Sequence, residues 1–203
     1  MNFCKFGACI LEFFVILVMV CFSVFLLSSQ SAVRYDRSKV DIVSEDEDFL
    51  EGYIKTTNGN IYFKITGRNK TKTPLILIHG GPGACHDYFE PLSILSDERP
   101  VIFYDQLGCG NSDKPEDISI YTVENYVTEL SEVRDALGLL EVHILGQSWG
   151  GGLLAVYASS EKATGIKSAV FSSPLIDSER WIFDQKSYLS MMPEEIQKSV
   201  SLA

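Results

Sequence analysis

The chain has 203 residues, 46% of them hydrophobic, and carries 17 Lys+Arg against 27 Asp+Glu for a net charge of −10. It is too apolar for a disordered chain, long enough for one globular domain, and with a pI of about 4.7 too acidic to grip a phosphate backbone. Of five cysteines, Cys4, Cys9 and Cys21 sit near the amino terminus, and Cys85 and Cys109 have no metal-ligand spacing, so a nucleic-acid binder, a zinc module and a disulfide scaffold are all excluded.

From Ala8 to Leu27 the sequence is apolar throughout except for Glu12. That is about the twenty residues a helix needs to cross a hydrocarbon core. Two readings of residues 1–31 compete. Lys5 before the run and the small residues Ser28 to Ala32 after it suit a cleaved signal peptide. The length of the run suits an uncleaved anchor, although Arg34, Arg37 and Lys39 on its far side leave the orientation open. Either way the expectation is a membrane-associated or secreted protein. Residues 32–50, with the acidic run Ser44 to Asp48, read as a solvated linker. Asn69-Lys70-Thr71 is an N-glycosylation sequon in a predicted loop, of consequence only in a secretory lumen.

The body then alternates strands and helices. Gly52–Thr56 and Ile61–Thr66 flank Asn58-Gly59, a type I′ hairpin signal. Leu75–His79 and Val101–Tyr104 are short continuous apolar runs that end in Gly-rich turns, as strands buried on both faces do. Thr122 is placed to cap a helix with Val123, Tyr126, Val127, Leu130, Val133 and Leu137 on one face, and Gly138 to end it. Val142–Leu145 is the next strand, followed by a helix from about Gly151 to Ser160 and a strand over Ile166–Phe171. A hairpin followed by this alternation predicts a mainly parallel sheet with helices on both faces, whose functional groups gather where strands run out at their carboxyl ends.

Three such strand ends carry chemistry. Gly146-Gln147-Ser148-Trp149-Gly150 lies between a predicted strand and a predicted helix, the context G-x-S-x-G requires. A serine on so tight a turn is pushed out over the sheet, and the helix behind it aims free N–H groups at the same place, so Ser148 is the candidate nucleophile. The competing reading is an ordinary Gly-rich turn whose serine caps the helix. The second loop, His79-Gly80-Gly81-Pro82-Gly83, has glycines that let backbone N–H groups face a reacting carbonyl. Gly81, with the N–H of Trp149, is the expected oxyanion hole, and Gly80, Pro82 and Gly83 are the expected substrate loop. His79 reads as a histidine that bonds the loop backbone rather than a catalytic base. In the third loop, Asp105 to Ser112, Asp105 reads as a turn-fixing group. Neither Cys85 nor Cys109 sits on an elbow, so neither is read as a nucleophile.

HGGPG, DQLGCGNS and GQSWGG, in that order and at these distances, resemble the proline iminopeptidase family of α/β-hydrolases, from about Gly52 to Pro174. The resemblance implies the α/β-hydrolase fold and a serine hydrolase that frees an N-terminal residue, often proline, from small peptides without metal or cofactor. It implies Ser148 as nucleophile and Gly81 and Trp149 as oxyanion donors. In that fold the triad runs Ser, then Asp or Glu, then His, whereas His79, His86 and His143 all precede Ser148. Nothing marks Asp177 or Asp184 as the acid. The expectation is therefore the amino-terminal part of the hydrolase core at 51–177, followed by the start of a helical cap at 178–203, with little activity alone and an exposed sheet edge. An esterase or lipase with the same elbow, and a non-catalytic membrane-attached pseudohydrolase, are the alternatives.

Overall fold

The computed structural model describes residues 32–201. The apolar segment, and with it the choice between anchor and signal peptide, lies outside the described residues. Among those, no helix is long and apolar enough to cross a membrane.

Seven strands form one sheet: β1 (Val40–Glu45), β2 (Phe49–Lys55), β3 (Asn60–Thr66), β4 (Leu75–Ile78), β5 (Val101–Tyr104), β6 (Val142–Gln147) and β7 (Ile166–Ser172). Their order is β1-β2-β3-β5-β4-β6-β7. The β1-β2-β3-β5 pairs are antiparallel, and β5, β4, β6 and β7 run parallel. All four residues of β4 and of β5 are buried, as strands packed on both faces must be. Their side chains alternate. Ile76, Ile78, Ile102 and Tyr104 join the main core, whereas Leu75, Leu77, Val101 and Phe103 join a smaller one with Phe89.

The main core is closed by α1 (Val123–Ala136) and α2 (Trp149–Ala158) through Leu130, Val133, Leu153, Leu154 and Tyr157. The opposite face is covered by 3₁₀ turns over His86–Asp97, where Pro91 cannot donate to an α-helical ladder. The expectation of helices on both faces is thus met on one face by α-helices and on the other by this tighter segment. Thr122 caps α1, its Oγ1 accepting from the Asn125 N–H at 3.2 Å. Gly138, at φ 64°, ends the helix in the left-handed conformation that glycine adopts without strain.

Two expectations are corrected. Residues 32–50 are not a solvated linker throughout, because Val40–Glu45 is a strand and Val33 and Val40 are buried in the core. The backbone N–H groups of Arg34 and Asp36 also donate to the last carbonyls of α1, Leu137 at 3.2 Å and Ala136 at 2.7 Å. The acidic run masks the strand because its charges serve an edge and a turn. The Asp46 carboxylate accepts the N–H groups of Asp48 and Phe49, both at 2.8 Å. The second correction concerns the hairpin. It forms with Lys55 opposite Asn60, but Asn58 does not take the positive φ a type I′ turn needs, since Ser148 and Ser173 are the non-glycine residues with positive φ among those described.

At the other end of the sheet β7 is an edge, with Val170 and Phe171 about half exposed. The expected helical stretch follows as α3 (Ser178–Ser190) and α4 (Glu194–Ser201), separated where Pro193 interrupts the pattern. α3 buries none of its residues and exposes Trp181 and Phe183.

Candidate active site

Because β5, β4 and β6 are neighbours and parallel, their carboxyl ends lie side by side, and the three loops singled out from the sequence meet there. Ser148 follows β6 directly and stands at φ 53°, ψ −118°, a conformation that costs an L-residue on the order of 1–3 kcal/mol. Surrounding bonds hold it there. Its N–H donates to the Ser172 carbonyl at 2.9 Å, and its own carbonyl accepts from Gly151, Gly152 and Leu175 at 3.0, 3.1 and 2.9 Å. The side chain makes no capping bond, which rejects the ordinary-turn reading. Gly146 and Gly150 are required by close approach: a Cβ on the first would strike the Gly150 carbonyl, and on the second the carbonyls of Ile78 and His79.

The loop after β4 runs against this turn. A Cβ on Gly80 would meet the Gln147 side chain and the Ser148 Cβ. The Gly80 N–H is committed to the Tyr88 hydroxyl at 2.6 Å, and that hydroxyl donates onward to Gln147 Oε1 at 3.0 Å. Gly81 is exposed at φ 115°, in the region that favours glycine, and Pro82 and Gly83 beside it are exposed as well. Trp149 is the first residue of α2. Its N–H precedes the first bonds to the Ser148 carbonyl, so it is one of the donors a helix leaves free.

His79 is fully buried with both ring nitrogens engaged. Nδ1 faces the Gly80 carbonyl at 3.0 Å, and Nε2 accepts the Gln106 N–H at 3.0 Å. Burial pushes its pKa down, against the opposing pull of the Gly80 carbonyl and the Asp105 charge. The ring is a neutral brace with no lone pair to spare. His86 is held by Asp105, whose Oδ1 accepts the His86 N–H at 2.8 Å and its Nδ1–H at 2.9 Å, while Oδ2 accepts the Asn111 N–H at 2.9 Å. For His86, burial works against the charge, but the bond to Asp105 and the charges of Asp105 and Asp87 raise the pKa on balance. For Asp105, burial alone would raise the pKa, and the bonds from His86 and Asn111 outweigh it and lower it. His143 is the second residue of β6 and contacts Ser168 Oγ at 2.7 Å. Ser148 lies five positions further along, roughly 16 Å of extended chain. Among the described residues no histidine bonds the Ser148 hydroxyl.

Two features of the site escape the sequence. One is Gln106, whose Nε2 donates to the His79 carbonyl at 2.8 Å and whose Oε1 accepts the Trp149 indole N–H at 2.9 Å. A glutamine has both a donor and an acceptor and can latch two loops, but no local pattern says which. The other is the His86–Asp105 pair, for which the aspartate at a strand end was the one available signal. Beside the loops lies a cavity of about 320 Å³ lined by Pro82, Leu107, Cys109, Tyr121, Tyr126 and Trp149. Its polar ring atoms are already paired: Tyr121 with the Pro115 carbonyl, Tyr126 with the Leu107 carbonyl and Trp149 with Gln106. What faces the cavity is a mixture of polar and apolar surface. No group of three His, Cys, Asp or Glu is arranged to hold a metal among the described residues.

Residues 73–201 match the alpha/beta hydrolase fold family. The chain is 43% identical over 153 residues to a proline iminopeptidase of Heyndrickxia coagulans, covering 75% of this chain and 53% of that protein. It is also 43% identical to one of Clostridioides difficile (strain 630), covering 74% and 52%. Among solved structures, the proline iminopeptidase of Mycobacterium smegmatis superposes with a TM-score of 0.64 at 32% identity, covering 70% of this chain and 50% of that one. VinJ superposes with a TM-score of 0.68 at 29% identity, covering 73% and 51%. The chain spans about half the length of the curated relatives it matches.

Proposed function

The chain belongs to the α/β-hydrolase fold family, and on that premise we propose that its loop cluster is the nucleophile and oxyanion half of a serine aminopeptidase site that frees an N-terminal residue from small peptides. The observation that carries the proposal is Ser148 itself, held at φ 53° on the strand-to-helix turn with its hydroxyl left out of the helix cap. Ser148 attacks the first peptide carbonyl, and the N–H groups of Gly81 and Trp149 stabilise the oxyanion that forms. Gly80, Pro82 and Gly83 shape the approach, Gly80 by fixing the loop through Tyr88. The base and the acid that orients it are to be sought in the half of the relatives' length that this chain does not span. The relatives named proline iminopeptidase support a compact, uncharged first residue. The chemistry calls for neither metal nor cofactor.

The test is a panel of aminoacyl-p-nitroanilides and a short-chain p-nitrophenyl ester, given to the protein as its source cell makes it. Proline and small apolar residues are expected to be released, and Asp or Lys at least about tenfold more slowly, the discrimination one poorly matched pocket contact supplies. Ester turnover without arylamide turnover would replace this reading with the esterase one. No turnover, together with no phosphonate adduct on Ser148, would replace it with a non-catalytic role.

We also propose that the apolar segment at residues 8–27 brings the body to a membrane. Alkaline carbonate extraction of source-cell membranes separates the two forms: an anchored protein stays in the pellet with its first residues intact, and a secreted one is released without them. An intact amino terminus in the soluble fraction would overturn both.

A further inference from the structure

Glu129 lies in the middle of α1, 5% exposed. Its Oε2 accepts the Leu107 N–H at 3.1 Å, while Oε1 is buried without a partner. One turn earlier on the same helix, the Tyr126 hydroxyl donates to the Leu107 carbonyl at 3.1 Å. α1 therefore grips both backbone polar groups of Leu107. The preceding residue is Gln106, which ties the His79 loop to the Trp149 indole. This short relay links α1 to both loops that carry the proposed oxyanion donors.

The titratable groups that face Glu129 are Tyr104 from β5, Cys109 from the loop, and Tyr126 and Glu132 from α1, with no cation among them. The Tyr104 hydroxyl is itself buried without a partner. Burial pushes the Glu129 carboxyl up to about 8, Glu132 adds to the rise, and the Leu107 N–H opposes it. Burial thus favours the uncharged acid, whose oxygen can still accept the Leu107 N–H.

We propose that Glu129 is a positioning residue, holding Leu107 so that Gln106 keeps the Gly81 loop and Trp149 in register. The proposal rests on the reading of that cluster as an oxyanion site. Loss of the proton leaves a buried charge with no counter-ion, and the structure relieves it by admitting water between α1 and the loop. The Leu107 N–H, which favours the charged form, stays on the carboxylate while the entering water loosens the Gln106 latch. Because the folded-state pKa lies above the ordinary glutamate value, the stability lost accumulates as pH rises from that value towards about 8.

The readout is the Trp149 indole. The chain has two tryptophans, and Trp181, exposed on α3, is removed by Trp181→Phe. In that background the emission of Trp149 is followed from about pH 6 to 9, below the ordinary tyrosine range. The parent is expected to titrate with a midpoint near 8, and Glu129→Gln, which keeps the acceptor and loses the charge, to stay flat. In the active protein Glu129→Ala should lower kcat about tenfold, the worth of one buried N–H left unpaired, with Glu129→Gln restoring it at neutral pH and removing the alkaline loss. If Glu129→Ala does not fold, the parent and the Gln variant still decide. An unchanged titration in Glu129→Gln, or a Gln variant impaired like Ala, would overturn the proposal. The emission does not depend on turnover, so an intact titration beside an inactive Ser148 would strike the catalytic reading alone.

Discussion

Replacing Ser148 with alanine in the catalytically competent protein is expected to lower kcat by on the order of 10⁴–10⁶ without loss of fold. The fold is spared because the Ser148 hydroxyl caps nothing, and the bonds that pin the turn come from its backbone N–H and carbonyl. Alanine makes those bonds equally well and bears the same strain at φ 53°. What disappears is the proposed nucleophile. The measurement is kcat on a proline arylamide beside the thermal midpoint of the same preparation; a variant within about tenfold of the parent would remove Ser148 from the mechanism, since a triad member contributes far more. For the same reason the 203-residue chain by itself is expected to turn over little: its three histidines are braced or remote, and none bonds the hydroxyl.

Asp105→Ala is expected to cost about 3–5 kcal/mol of stability, the range for breaking a buried charged pair from one side. The carboxylate is fully buried and answers three donors, two from His86 and one from Asn111. Its removal strands all three. Asp105→Asn should fall between, because one of its two terminal atoms is a donor facing donors. Denaturant midpoints of the parent and both variants measure this, and an Ala variant as stable as the parent would refute it. The pair also sets a pH signature. The Asp105 pKa is lowered, so its stabilising contribution is present above the ordinary aspartate value and is lost as pH falls through the folded-state value. The His86 pKa is raised, so its contribution is complete below the ordinary histidine value and is lost as pH rises through the folded-state value. Stability from the pair is therefore greatest between the two, and Asp105→Ala should flatten both flanks.

Legibility in the sequence followed distance along the chain. β4, β5, β6, the capped α1 and the Ser148 turn are legible because each is decided within about ten residues, by apolar runs, a capping threonine and paired glycines. The strand at Val40–Glu45 is not legible, because acidic residues on a sheet edge have the composition of a linker. The type of the hairpin turn is not legible either, because Asn58-Gly59 permits a type I′ turn without requiring one.

The amino-acid sequence by itself determined the elbow, the glycine-rich loop and the family they resemble, since a strained serine between a strand and a helix is a local matter of sterics. The tertiary structure alone decided what steadies them. The Gln106 latch joins residues 27 and 43 positions apart, the His86–Asp105 pair residues 19 apart and the Glu129 support residues 22 apart. These contacts exist because the sheet places β5 beside β4 and β4 beside β6, so that three loops distant in the chain end at one edge and satisfy one another's buried polar groups.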